Sequence, residues 1–152
     1  MLTDSLKQPT SMPTPFEYHY VVPLHEVDAA GVAFFAHALR HAHDTYESFM
    51  ANLAMSLHSL LGEGVYRLPL VHCEADFLAP IRHGDRVRIE LRVEALGSSS
   101  FTLGYRFTGP TGETLVRAIT RHVLVANETG RPASLPAEAR RRLQEFATPE
   151  GG

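Results

Sequence analysis

Residues 34–53, FFAHALRHAHDTYESFMANL, decide how this chain must fold. Phe35, Leu39, Ala42, Tyr46, Phe49 and Leu53, continued by Leu57, recur at three- and four-residue intervals, which lays them along one face of a helix. Arg40, Asp44 and Ser48 fall off that stripe. The spacing predicts a helix from about Phe34 to about Leu61, closed by Gly62 and Gly64. A helix so apolar along one side needs a broad surface to lie on.

The sequence downstream supplies it. Val65 to Phe77 reads as a strand with an irregularity near Pro69, followed by a turn-rich connection, Ala79 to Asp85. Val87, Ile89, Leu91, Val93 and Ala95 then alternate with Arg86, Arg88, Glu90, Arg92 and Glu94, apolar inward and charged outward. Gly97 and three serines make a turn, and Phe101, Leu103, Tyr105 and Phe107 form the next alternating strand. Gly104 within it marks a bulge or a close backbone approach. Residues 109–112, Gly-Pro-Thr-Gly, are a hairpin turn from which Leu115 to Ala126 returns. Upstream, Phe16 to Leu24 suits a first strand, and Leu135 to Phe146 a short Arg-rich terminal helix. Strand, long helix, then about four antiparallel strands is an α+β order, one helix on a sheet of about five strands. One helix leaves a sheet face and two edges uncovered, so self-association is expected, at least as a symmetric dimer joined edge to edge.

Composition narrows the function. The 152 residues make one domain, residues 16–147, behind a polar, Pro-containing segment, residues 1–15, expected to be a mobile tail. A net charge of −3 gives no footprint for nucleic acid, and no apolar run reaches membrane-spanning length. The N-terminal residues lack the pattern of a secretory signal, and Cys73 is the single cysteine, so a cytoplasmic, reducing setting is expected. His37 and His41 share a helix face, but with neither an HExxH pattern nor a nearby Cys no metal site is expected. His43 and Glu47 form a second i,i+4 pair, expected to face the sheet more than His41 does. There is no G-x-S-x-G elbow and no phosphate-cradling glycine loop.

Attention therefore falls on Asp28, which precedes small residues, Gly31 and the helix. Unpaired N–H groups and the macrodipole at a helix start favour developing negative charge, so a carboxylate nearby suits acyl chemistry. The same residue can equally cap the helix or close an Asx-turn.

The motifs carry a resemblance. Residues 28–37, DAAGVAFFAH, resemble the D-x-x-G-[IV]-[VA]-[FYW]-[FY] signature of the 4-hydroxybenzoyl-CoA thioesterase family of hotdog folds. Residues 68–85, ending in DFLAPIRHGD, match that family's second landmark, and the likeness spans about Tyr18 to Ala126. Phe35-Ala36 and residues 43–47, HDTYE, are most similar to the branch that hydrolyses 1,4-dihydroxy-2-naphthoyl-CoA in phylloquinone (vitamin K1) biosynthesis. The broader acyl-CoA branch often carries Tyr-His-Ala where this chain has Phe34-Phe35-Ala36, so its histidine is missing and His37 falls two residues later.

The resemblance implies a thioester hydrolase in which Asp28 is nucleophile or general base. It gives the Phe35 backbone N–H the oxyanion role and has Gly31 permit close approach. Phe34, His37, His43, Glu47 and Phe77 would bind substrate, with Arg117, Arg121 and Arg131 as holders of the CoA phosphates, since the Gly97–Ser100 turn lacks basic residues. It implies no cofactor, CoA being part of the substrate, and a homodimer or homotetramer with active sites between subunits. The residues leave open a general aryl- or acyl-CoA thioesterase, a dehydratase built on His43 and Glu47, and a non-catalytic acyl-binding module.

Overall fold

A computed structural model describes residues 13–53 and 61–148. The periodic run becomes helix α1, Phe35–Asn52. The predicted continuation through residues 54–60, Leu57 included, lies outside the described residues, as does residues 1–12 of the expected tail. Strands β1 (Phe16–Val21), β3 (Leu70–Phe77), β4 (Arg86–Leu96), β5 (Ser100–Thr108) and β6 (Thr114–Val123) form one antiparallel sheet in the order β1-β4-β5-β6-β3. The helix lies on one face of it, which is the hotdog arrangement the motifs implied.

Alternation sets that packing. Val87, Ile89, Leu91 and Val93 of β4 and Phe101, Leu103, Tyr105 and Phe107 of β5 are all buried. They meet Ala38, Ala42, Phe49 and Leu53 of the helix in one core. Fully buried Phe49 sets its ring edge-on to those of Phe16 and Phe146. Burying such a side chain is worth about 1.5–3 kcal/mol.

Three expectations shift in the structure. Ala95 is exposed rather than inward, because the ladder slips between Val93 and Ala95. A segment after the terminal helix α2 (Ala137–Gln144) satisfies the bulged backbone: Val93 N–H donates to Phe146, and Thr148 N–H to Val93. Second, Pro69 ends β2 (Tyr66–Arg67) before β3 begins, and β2 pairs with β7 (Val125–Ala126) as a separate ribbon. Third, the buried stripe of α1 runs through Ala38, His41, Ala42, Thr45 and Phe49, leaving Phe35 55% exposed. At Gly104 the ladder to β4 is regular and no backbone comes close; a Cβ there would instead overlap the Glu94 side chain, which lies over the strand.

Under the helix, β6 carries a buried histidine. His122 stacks between Tyr46 (ring centroids 4.3 Å) and Phe101 (5.2 Å), and its Nε2 lies 3.0 Å from Thr120 Oγ1, which also meets the Tyr105 hydroxyl at 2.9 Å. Burial, then the charge of nearby His43, pushes the imidazole down to about 4 from 6.5. Unfolding therefore takes up a proton wherever the pH lies between those two values, and acid favours the unfolded chain. Stability is expected to fall by up to about 3 kcal/mol from this group as pH drops through that window. Urea titrations at pH 7 and pH 4.5 on wild type and His122→Phe check it, the variant losing less stability over the same interval.

Candidate active site

Asp28 opens a tight hairpin rather than the helix. Val27 and Ala33 bridge antiparallel, Asp28 N–H donates to Val32, and Gly31 N–H returns to the Asp28 carbonyl at 2.9 Å. Asp28 Oδ1 accepts from the N–H groups of Ala30 (2.9 Å) and Val32 (3.3 Å), an Asx-turn. Oδ2 has no partner among the described residues, and the side chain is exposed. Gly31 sits at φ +79°, the left-handed region. A Cβ there would touch nothing within 4 Å, so in the single chain the glycine serves the turn's backbone angle rather than close approach.

The hairpin folds back onto the start of α1. Phe34 is the N-cap and offers no side-chain cap, and its N–H donates to the Glu26 carbonyl at 3.0 Å. His37 N–H bonds the Phe34 carbonyl, while the Phe35 and Ala36 N–H groups of the first turn have no protein acceptor among the described residues. These are the donors a developing oxyanion would need.

The second motif forms the opposite wall. Val32 bridges to Arg82, and Ala33 N–H donates to Ile81 at 2.7 Å, seating the hairpin on the loop between β3 and β4. That loop closes on itself through Arg82 N–H to Asp85 Oδ2 and Gly84 at φ +83°. Between the walls lies a cleft of about 310 Å³ lined by residues 32–35, Ala38 and residues 77–81. Phe34, Phe35 and Phe77 line it as an aromatic set: Phe34 and Phe35 are 4.6 Å apart, and Phe35 meets Phe77 edge-on at 6.0 Å. His37 stands half-buried beside Phe34 at 6.2 Å. A larger groove, about 480 Å³, runs past His19, Arg86, Arg88 and the 109–112 turn; it holds none of these groups.

Other candidates sit elsewhere in the single chain. His43 and Glu47 pair at 3.1 Å but point to solvent. The expectation that His43 faces the sheet more than His41 is reversed, because His41 is 6% exposed. Arg117 and Arg121 are exposed on β6, in register with Arg106 and Thr102, on the sheet face away from the helix. Arg131 is exposed beyond β7. The chain alone therefore brings none of the three arginines to the aromatic cleft. Among the described residues, no cluster of three or more His, Cys, Asp or Glu side chains is placed to hold a metal ion.

Sequence reasoning passed over Glu26. It is 2% exposed; the His41 Nε2–H reaches both its oxygens at 2.9 Å, and the Arg40 guanidinium donates to it as well. Burial works to raise its pKa, but the hydrogen bonds and charges of His41 and Arg40 outweigh that and hold the carboxyl below the usual range. His41 also stacks on Tyr20 at 3.6 Å. The residues involved are an acid two positions before Asp28 and the adjacent Arg40 and His41 on the helix, and no spacing pattern links them.

The sequence profile of the thioesterase-like superfamily matches residues 22–143. Over 126 residues the chain is 38% identical to a 1,4-dihydroxy-2-naphthoyl-CoA hydrolase of Picosynechococcus, covering 80% of this chain and 86% of that protein. The crystal structure of a 1,4-dihydroxy-2-naphthoyl-CoA thioesterase from Synechocystis superposes with a TM-score of 0.77 at 32% identity, covering 85% of this chain and 95% of the other. The dynemicin thioesterase, at 24% identity and a TM-score of 0.80 over 89% of this chain and 99% of its own, shares the fold.

Proposed function

Because this chain belongs to the thioesterase-like superfamily, we propose that it hydrolyses an aryl-CoA thioester, 1,4-dihydroxy-2-naphthoyl-CoA, at the Asp28 hairpin. What supports this is one segment, residues 28–35, that carries an exposed carboxylate, an uncapped helix start and part of the wall of an aromatic cleft. The ring packs against Phe34, Phe35 and Phe77, whose faces and edges suit a flat bicyclic acyl group. The thioester oxygen takes the Phe35 N–H, and the helix dipole favours the charge that gathers on it. Asp28, tethered through Oδ1, offers Oδ2 to the carbonyl carbon or to a water beside it. A thiolate leaves with little protonation help, so one carboxylate suffices, and CoA, which enters as part of the substrate, departs as the free thiol.

Strand β3 supports an active dimer. It is an edge strand, and Leu70, Val71, Phe77 and the adjoining Leu78 are each about half-exposed. Pairing β3 with its copy removes the free ladder edge and covers those side chains. It also makes the cleft beside Phe77 an intersubunit site. A homotetramer adds contact through the polar sheet face that carries Arg117 and Arg121. No helix among the described residues is long and apolar enough to cross a membrane, and the single exposed Cys73 suits a reducing cytoplasmic setting.

Thiol release from naphthoyl, benzoyl, short-chain and long-chain CoA esters tests the reading. The hydroxynaphthoyl ester is expected to give the highest kcat/KM. Preference for aliphatic esters would make this a general acyl-CoA thioesterase, and no turnover of any ester by folded protein would leave an acyl-binding module. Single-turnover hydrolysis in ¹⁸O-water separates the two roles of Asp28. Unlabelled first product identifies a nucleophile whose mixed anhydride is opened by water at the aspartyl carbon, whereas labelled first product with no acyl-enzyme on rapid quench identifies a general base.

A further inference from the structure

We infer that Glu26 is a positioning residue: with Arg40 and His41 it clamps the Asp28 hairpin to the second turn of α1 and so fixes where the Asp28 carboxylate stands relative to the helix N-terminus. The inference rests on the reading of Asp28 as the catalytic group. Its ground is that Glu26 holds the helix in two ways. Its carbonyl accepts the Phe34 N–H at the N-cap, and its carboxylate receives His41 Nε2–H and the Arg40 guanidinium nearly two turns further on.

Among the described residues nothing else polar ties this side of the hairpin to the helix. The Asp28 carboxylate bonds only within its own turn, and the other strand of the hairpin is anchored to Arg82 and Ile81 rather than to α1. His41 is itself held flat on the Tyr20 ring, so the clamp extends to β1. Val27 alone separates Glu26 from Asp28, leaving little chain in which a displacement of one could be absorbed before it reached the other. A carboxylate that must meet a carbonyl carbon polarised by the Phe35 N–H tolerates little displacement.

The test is a set of kinetic variants on the full chain, assayed with whichever CoA thioester the wild type turns over. Glu26→Gln removes the charge, and because it deprives buried His41 and the Arg40 guanidinium of their shared carboxylate it can also unfold the protein. Arg40→Met is the safer probe, its side chain being half-exposed. Arg40→Met is expected to melt with wild type, to lose about tenfold in kcat with KM within twofold, and to recover most of that in Arg40→Lys. In an Asp28→Asn background, Arg40→Met is expected to cause no further loss, since no catalytic carboxylate remains to be positioned. A kcat unchanged by Arg40→Met, a loss confined to KM, or an equal loss in the Asp28→Asn background would overturn the clamp. Wild-type turnover by Asp28→Asn would instead remove the reading of Asp28, so the two failures are told apart.

Discussion

Asp28→Asn is expected to fold and melt as wild type does and to lose about 10²–10⁴-fold in kcat, with KM little changed. The asparagine side chain keeps an Oδ1 that can accept the Ala30 and Val32 N–H groups, so the Asx-turn survives. What goes is the anionic Oδ2, the one oxygen of the pair that the turn leaves free. An amide neither attacks a thioester at a useful rate nor takes a proton from water near neutral pH. The loss should fall on kcat because ring packing and CoA contacts, which set binding, do not involve the carboxylate. Steady-state thiol release on both proteins, with a melting curve for each, settles it. A variant that binds substrate as before and turns it over unchanged would remove Asp28 from the chemistry.

Val71→Lys is expected to convert the proposed dimer to the 16.8 kDa monomer and to lower turnover on the order of 100-fold, while the isolated chain stays folded. Val71 is about half-exposed on the free edge and lies at the register shift between Leu70 and His72. A lysine there costs the monomer nothing in packing, yet a two-fold pairing of β3 with β3 brings the new charge close to its copy and buries both. The cleft beside Phe77 then loses the wall that the proposed second subunit would supply. Light scattering coupled to size exclusion, with the thioester assay on the same fractions, reads both effects. Full activity in a monomer would show that one chain completes its own site.

The sheet was legible in the sequence because burial on one face imposes a period of two, and β4 states it almost without interruption from Arg86 to Val93. It failed at Ala95 because a bulge is a backbone event that leaves no mark on the alternation before it. The start of the helix was legible, but its rotation was not, and α1 ends at Asn52 short of the expected Leu61. Hydropathy assigns Phe35 to the core and His41 to the surface, whereas Glu26 gives the Nε2 of buried His41 a partner, and Phe35 lines the cleft. Asp28 was visible as a residue, and its two bland roles could not be separated until the Asx-turn was seen. Glu26 was missed because its partners lie 14 and 15 residues away, and nothing in a linear pattern announces a pairing between a loop and a helix.

The strand order β1-β4-β5-β6-β3 also governs how the molecule comes together in time. Only β4, β5 and β6 are neighbours both in sequence and in the sheet, joined by short turns whose closure costs little. β1 must wait for β4, made some seventy residues later, and β3 for β6 across the intervening hairpins. The meander is expected to acquire slow hydrogen exchange first, with the two outer strands and the hairpin carrying Asp28 following as later, slower events. Catalytic competence is then the last property the folding chain gains, because the element bearing the carboxylate is stitched to β1, α1 and the loop before β4 together.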